Sequence, residues 1–347
     1  MRILLIGEFS GVHLNFKRVF ENEGHKVTLV ADGDSFKKFA YDINLINGGG
    51  FWGFIKGLLV FVLNLRKFIG NDIVQFNSPF ALPSYFYLIG IYQFIISANK
   101  KIIYYVGGTD SAFLKARYAF EYFPFDEFNN NERPKFSLLD KKVEHYFLRK
   151  VNVIIPSNYM YSVPYEGNSK LAGLVPFPKF NVSGSDLCYS VQGKVKILYA
   201  RTRDGFKGSE YIIPALDLLK LKYSEFLDVE IVCRLPYFSF IDKVCQADIL
   251  IDQCKSYDYG MNAILGMELG CIVFSGAEVK AINYSGIPTW PVINIRPSID
   301  EIFNQLNSLL ANKSLLPNLK NHSKSYVDTV HSDTRVYSLW LKNVNKV

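Results

Sequence analysis

The stretch from 248 to 276 is where this chain's residue types could first do chemistry. Asp248-Ile249-Leu250-Ile251 reads as a short apolar strand, and Ser256-Tyr257-Asp258-Tyr259-Gly260 as a loop with turn chemistry. Residues 261–269 read as a helix stopped by Gly270, and Cys271-Ile272-Val273-Phe274 as the next buried strand. A glycine that opens a helix leaves backbone N–H groups pointing out of its N-terminus. Gly260 therefore predicts an anion site suited to a phosphate. Other phosphate and nucleophile signatures are missing. The first turn, Gly7-Glu8-Phe9-Ser10-Gly11, does not match the glycine fingerprint of dinucleotide enzymes, and no P-loop, nucleophile elbow or metal-ligand spacing occurs.

These residues need elements to hold them, and 347 residues suffice for two domains of ordinary size. A composition 49% hydrophobic and 20% charged is that of a globular chain. The five cysteines (Cys188, Cys233, Cys245, Cys254, Cys271) lie in the second half, without a CxxC pair or a histidine at ligand spacing. They read as buried thiols of a reducing compartment, with no metal. The apolar run at the N-terminus, Ile3 to Ile6, is too short for a signal peptide, so the expectation is a cytoplasmic protein.

The net charge is +7, and residues 1–180 carry +6 of it. Such asymmetry suits an anionic partner for the first half, such as a membrane surface, a lipid phosphate or nucleic acid; scatter among surface lysines is the alternative. Nucleic-acid binding rests on charge alone, and the reading adopted has no nucleic acid as partner. Residues 51–69 are apolar but include Lys56, Asn64, Arg66 and Lys67. Two readings stand for them: an amphipathic helix resting on a bilayer with Phe51 and Trp52 at the interface, or a helix packed in the ordinary way. Residues 73–99 carry no charge, yet Asn77, Ser78, Pro79, Pro83 and Gln93 interrupt them below the ~20 apolar residues a span needs.

The first half alternates strands (2–7, 26–31, 73–76, 101–105, 151–156) with helices (12–23, 51–69, 84–98, 137–150), the pattern of a parallel sheet with helices on both faces. Residues 108–136 are irregular, aromatic and acidic, and read as an excursion at the carboxyl edge of that sheet. Pro, Gly and Ser dominate 164–192, as in an interdomain linker. A second alternation follows, and the end, 298–311 and 315–346, reads as helical. The expected fold class is α/β with two Rossmann-like, doubly wound domains, at 1–165 and 190–330.

Four anchors now resemble the GT-B glycosyltransferases, particularly family 4, over most of the chain. Arg201-Thr202-Arg203 to Lys207-Gly208 resembles the strand–loop whose cations hold the donor diphosphate, a role that stabilises the leaving group's developing charge. Residues 256–270 resemble the family's donor segment: Gly260, Ala263, Met267 and Gly270 align, but Tyr257 and Leu265 stand where the family has glutamates. Glu268, about one turn on, is the candidate substitute. Asp258 or Asn262 is the candidate for the donor sugar, Tyr259 a further donor-binding candidate, and the N–H groups of Gly260, Met261 and Asn262 the candidates for phosphate. Residues 73–80 resemble the family's strand ending in His-x-His-Ser-Pro, with Gln75 and Asn77 replacing histidines. Gly107-Gly108-Thr109-Asp110 resembles its His-Gly-x-Asp turn, with Gly107 in place of histidine.

The resemblance implies two domains facing a cleft, with the helix around 334–347 crossing back onto the first. It implies metal-independent, retaining transfer from a nucleotide-sugar co-substrate, with no other cofactor, to a glycan or lipid-linked acceptor at the inner face of the cytoplasmic membrane. Asp110 is then the candidate acid/base. Arg234 shapes the base pocket or is an exposed loop arginine. Ser10, Gly11, His13 and Asn77 fall on the acceptor side, His13 either facing the cleft or standing on the surface beside a helix start. A sugar-nucleotide epimerase and a non-catalytic binding partner are the rival readings.

Overall fold

The computed structural model describes residues 1–46, 50–128, 132–182, 193–201 and 205–346. It divides into two units: Met1–Ala116 with Pro134–Pro178 and Asp333–Val347, and Arg117–Arg133 with Lys179–Ser332.

The first unit is built from β1 (Arg2–Ile6), α1 (Val12–Asn22), β2 (Lys26–Val30), α2 (Gly50–Leu63), α3 (Leu65–Phe68), β3 (Ile73–Phe76), α4 (Tyr85–Leu88), α5 (Ile91–Ser97), β4 (Lys101–Val106), α6 (Ser111–Lys115), α7 (Leu138–Lys150), β5 (Val153–Pro156) and α8 (Tyr159–Ser162). The strands form one parallel sheet in the order β2-β1-β3-β4-β5, with Leu4 beside Thr28 and Val74. Being buried on both faces, they read as continuous apolar runs. Leu4, Val74, Phe76 and Tyr104 pack on one face with Phe61, Phe86, Tyr92 and Phe147 from α2, α4, α5 and α7. Helices predicted as continuous are broken. The 84–98 helix turns at Gly90, which sits at φ 80° and separates α4 from α5. The 51–69 helix is interrupted at Asn64, whose amide bonds the Val60 carbonyl.

The second unit contains β6 (Val195–Arg201), α9 (Ser209–Lys222), β7 (Leu227–Cys233), α10 (Tyr237–Cys245), β8 (Ile249–Ile251), α11 (Met261–Glu268), β9 (Ile272–Ser275), α12 (Val279–Ser285), β10 (Ile293–Asn294), α13 (Ile299–Ala311) and α14 (Leu316–Val330). Its parallel sheet runs β10-β9-β8-β6-β7. Ile197, Tyr199, Ile251 and Phe274 form its core with Ile212, Leu216, Ile302 and Leu306 of α9 and α13.

The chain divides differently from the expected 1–165 and 190–330. Residues 166–178 stay with the first unit, whereas Arg117–Arg133 leaves it for the second. The excursion is held there by specific bonds. The Glu121 N–H donates to the Tyr257 hydroxyl at 2.9 Å, and the Tyr122 hydroxyl to Glu278 at 2.8 Å. Pairing of this kind depends on residues more than 130 positions apart, so no local pattern announces it.

The last helix, α15 (Asp333–Val344), returns to the first unit against α1. Its Asp333 pairs with Arg18 at 2.8 Å, and its Trp340 ring lies 4.4 Å from Phe20. Trp340 also ends a buried relay. Its Nε1–H donates to Gln75 Oε1 at 2.7 Å, the Gln75 amide contacts His13 Nε2 at 3.1 Å, and His13 Nδ1 meets the Gly7 carbonyl at 2.7 Å. The bonds assign a neutral imidazole with its proton on Nδ1. Burial drives the His13 pKa down to about 4, so the ring stays neutral at pH 7. His13 is thus neither cleft-facing nor on the surface: it is fully buried and pins a turn.

Gln75→Leu removes both bonds that Gln75 makes and should lower stability by about 2–4 kcal/mol, read as a urea midpoint. The unfolded chain protonates His13 near 6.5 and the folded one only near 4. Stability from this group should therefore be lost as pH falls from 6.5 to 4, by up to roughly 3 kcal/mol. His13→Asn should flatten that part of the urea-midpoint profile.

Candidate functional site

In the second unit, three neighbouring strands, β6, β8 and β9, end together. The segments after them bring Lys207, Asp252 and Gly260 into contact. Lys207 Nζ lies 2.7 Å from Asp252 Oδ1, and both side chains are buried. The other Asp252 oxygen is 3.3 Å from the Gly260 N–H and from the Ser275 hydroxyl. Around this pair two helices begin at glycines without a side-chain cap: α9 after Gly208 and α11 after Gly260. Gly208 is required twice over. It adopts φ 86°, and a Cβ there would stand 2.1 Å from the Cys254 sulfur. Gly276 is required by space: a Cβ would lie 1.9 Å from the Ser256 carbonyl oxygen. The arrangement offers backbone donors from two helix starts and one ammonium already half neutralised by a carboxylate. Such a set suits an anion with several oxygens. Lys207, expected among the cations of the donor diphosphate, is thus paired with Asp252.

The other donor-side candidates divide. Asn262 lies partly exposed in the first turn of α11, and Met261 is buried beside it. Asp258 is buried, and its carbonyl accepts from Gln253 at 3.1 Å. Tyr259 is a packing residue: its buried hydroxyl bonds Tyr326 and His331, each at 2.9 Å. Glu268 is no substitute for a family glutamate, since both carboxylate oxygens accept backbone N–H groups, from Phe180 and Val182 at 2.8 Å. Leu265 is 1% exposed, so a carboxylate there would be buried. Arg201 ends β6 and is partly exposed; Arg203 lies outside the described residues. Arg234 stands exposed after the edge strand β7, at φ 49°. That left-handed backbone costs a non-glycine residue about 1–2 kcal/mol.

Three features here escape a reading of the sequence. Lys255 is 1% exposed, and its ammonium is shared by Glu127, Glu210 and the Gly205 carbonyl. Tyr257, in place of a family glutamate, packs edge-on against Phe120 at 5.2 Å and tilted against Tyr122 at 5.0 Å. Glu278 takes a two-pronged bond from Arg296 at 2.7 and 2.8 Å. Burial opposes its ionisation, but hydrogen bonds from Arg296, Asn294 and Tyr122 hold its carboxyl below the usual range. The cysteines were expected buried. Cys254 and Cys271 are, but Cys233 and Cys245 are exposed, and Cys188 is outside the described residues.

In the first unit, Asp110 is withdrawn as acid/base. It has no exposed surface, caps α6 through the Phe113 N–H at 2.7 Å, and accepts from Tyr104 at 2.6 Å and from Tyr165. Gly107 lacks a histidine for a steric reason: a Cβ would stand 2.5 Å from the Phe9 ring. Ser10 is strained at φ 52°, with its N–H on Asp34 at 2.6 Å and its hydroxyl held by Lys37 at 2.8 Å. Gly11 opens α1 at φ 79°. Asn77 is buried with its Nδ2 lacking a partner among the described residues, and its Oδ1 sits 2.1 Å from where a Gly7 Cβ would be.

Glu8 is the carboxyl group missed. It bonds the Leu14 N–H at 2.7 Å, and its Oε1 is buried with no partner among the described residues. Burial, reinforced by nearby Asp34, pushes its pKa up to about 8 against the backbone bonds of Leu14 and His13. Glu8 and Asn77 follow β1 and β3, adjacent strands at the point where strand order reverses, the usual ligand position of such sheets. Among the described residues no cluster of three His, Cys, Asp or Glu could hold a metal ion. Nor is any helix among them long and apolar enough to cross a membrane.

No family model matches the sequence, and no curated protein is similar to it. Solved structures are similar in fold. Sucrose-phosphate synthase from Thermosynechococcus elongatus gives a TM-score of 0.62 at 13% identity, covering 100% of both chains. Anabaena HepE with UDP-glucose gives 0.62 at 11%, again over 100% of both. UDP-GlcNAc 2-epimerase from Neisseria meningitidis, bound to UDP-GlcNAc, gives 0.56 at 12% over 100% of both. The two five-stranded parallel sheets and these matches define the fold as GT-B, with two Rossmann-like domains.

Two consequences can be measured. Asp252→Ala strands a buried ammonium and should cost about 3–5 kcal/mol, whereas the double change Lys207→Met with Asp252→Leu should recover most of it; equal urea midpoints would refute the pairing. The folded protein keeps Glu8 protonated up to about pH 8, while the unfolded chain ionises it near 4.5. Stability from Glu8 therefore falls as pH rises through that window. Glu8→Gln should gain stability over wild type progressively from pH 4.5 to 8 and no further above.

Proposed function

We propose that this chain is a glycosyltransferase that moves a sugar from a nucleotide-sugar donor to a lipid-linked or polysaccharide acceptor in bacterial surface glycan synthesis. One observation carries the reading: two uncapped helix starts, at Gly208 and Gly260, flank the Lys207–Asp252 pair at the ends of adjacent strands. Their N–H groups would bind a diphosphate and stabilise it as a leaving group. Asn262 at the α11 start and Arg234 after β7 are assigned to the sugar and the base. HepE, of the same fold, is known with UDP-glucose, which favours a uridine diphosphate sugar here. On the first unit, Glu8 takes the place intended for Asp110 as the carboxyl group able to exchange a proton near neutral pH. Retention, independence of metal, and contact of the basic first unit with the inner face of the cytoplasmic membrane complete the proposal; they rest on the family resemblance and the charge pattern.

An epimerase is the second reading, favoured by the fold match to UDP-GlcNAc 2-epimerase. NMR of a UDP-sugar incubated with the protein separates the two. Transfer or hydrolysis releases UDP, whereas epimerisation changes the sugar signals with the diphosphate linkage intact.

The site is tested by Asn262→Asp. The change is nearly isosteric, and a negative charge in the first turn of a helix is neutral or favourable to folding. It would repel a diphosphate, so the UDP-glucose Kd should rise about tenfold or more, or about 1.4 kcal/mol. Isothermal titration showing unchanged affinity would remove α11 from the donor site.

A further inference from the structure

Helix α7 carries a groove outside the sites described so far. The groove encloses about 580 Å³ and is lined by Leu138, Lys141, Lys142, His145, Arg149 and Lys150, with Tyr87 and Tyr146 as aromatic walls. The spacing puts 138, 141/142, 145/146 and 149/150 on one face of the helix. Lys141, Lys142, Arg149 and Lys150 are all exposed, and none of them forms an ion pair among the described residues. Arg149 and Lys150 suit the negative end of the helix dipole. Lys141 and Lys142 do not: they lie near its N-terminal end, where cations are disfavoured. No ion pair among the described residues neutralises them, so they are open to an external anion.

The surroundings are apolar. Leu138 at the groove is 79% exposed, and Leu88, next to Tyr87, is 67% exposed. Tyr87 packs on Tyr146, Phe54 on Tyr85 and Phe61 on Phe94, so α2, α4, α5 and α7 form one layer over the same sheet face. That layer also exposes Trp52, Leu59 and Leu63. Between residues 50 and 100 the only acidic residue is Asp72. Exposed apolar side chains beside unpaired cations match an amphiphile with an anionic head.

We propose that this layer docks on an anionic phospholipid bilayer, with the α7 groove holding a lipid phosphate headgroup between Lys141, Lys142, Arg149 and Lys150. The inference deepens the membrane-facing acceptor reading and rests on it for the class of partner. It adds the element that reads the charge: helix α7, beside the 51–69 segment.

The test is co-sedimentation of the full chain with vesicles of phosphatidylcholine alone or with 30 mol% phosphatidylglycerol, without nucleotide. Binding is expected only to the anionic vesicles. The set Lys141→Gln, Lys142→Gln, Arg149→Gln and Lys150→Gln should lower partition by roughly 600-fold, at about fivefold for each of the four cations. Leu88→Ser with Leu138→Ser should weaken it separately, with all cations in place. Near-UV circular dichroism verifies that each variant is folded; all six positions are exposed. No binding to anionic vesicles, equal binding to neutral ones, or unchanged partition of the glutamine set would overturn the proposal. So would saturable binding of inorganic pyrophosphate that displaces the vesicles, which would assign the groove to a soluble anion. Because no nucleotide is present, failure here is distinct from failure of donor binding.

Discussion

The first unit depends on one buried chain of polar contacts, from the Gly7 carbonyl through His13 and Gln75 to Trp340. A sheet covered on both faces has no water to satisfy a polar side chain, so each must find its partner inside. Here the partner of a β3 residue is supplied by the last helix. The same bonds hold the turn after β1, and that turn presents Glu8 and Ser10. Fold closure and the geometry of that turn are therefore one constraint.

The second unit uses the same device with charge. Asp252 collects Lys207, the start of α11 and Ser275, while Lys255 collects Glu127 and Glu210. Buried ion pairs of this kind add little net stability, because desolvation offsets attraction. They are costly to break from one side, however, and so they define a single arrangement of the loops. Through Glu127, one of these hubs also orders the 117–133 excursion beside α9.

The residues that depart from the family's pattern mostly have steric or packing reasons. Gly107 makes room for Phe9, and Gln75 serves the relay where the family has a histidine. Tyr257 holds the excursion, and Leu265 fills core. Asp110 and Glu268 keep carboxylates but spend them on backbone N–H groups. In the first unit the carboxyl group that burial keeps protonated is Glu8, whose only hint in the sequence is its place in a glycine-rich turn.

Alternating apolar runs and helix periods were enough to establish two parallel α/β domains, and the glycine before 261 was enough to locate a helix start suited to an anion. These are local properties, set by backbone sterics and by periods of 2 and 3.6 residues. Tertiary structure alone decided the rest: that Lys207 is paired, that Asp110 and Glu268 are committed to backbone N–H groups, that 117–133 belongs to the second unit, and that the α7 cations have no ion-pair partner among the described residues. Each depends on which distant residue arrives at hydrogen-bonding distance. A carboxylate met by two N–H groups and one left with an orphan oxygen look identical in a sequence.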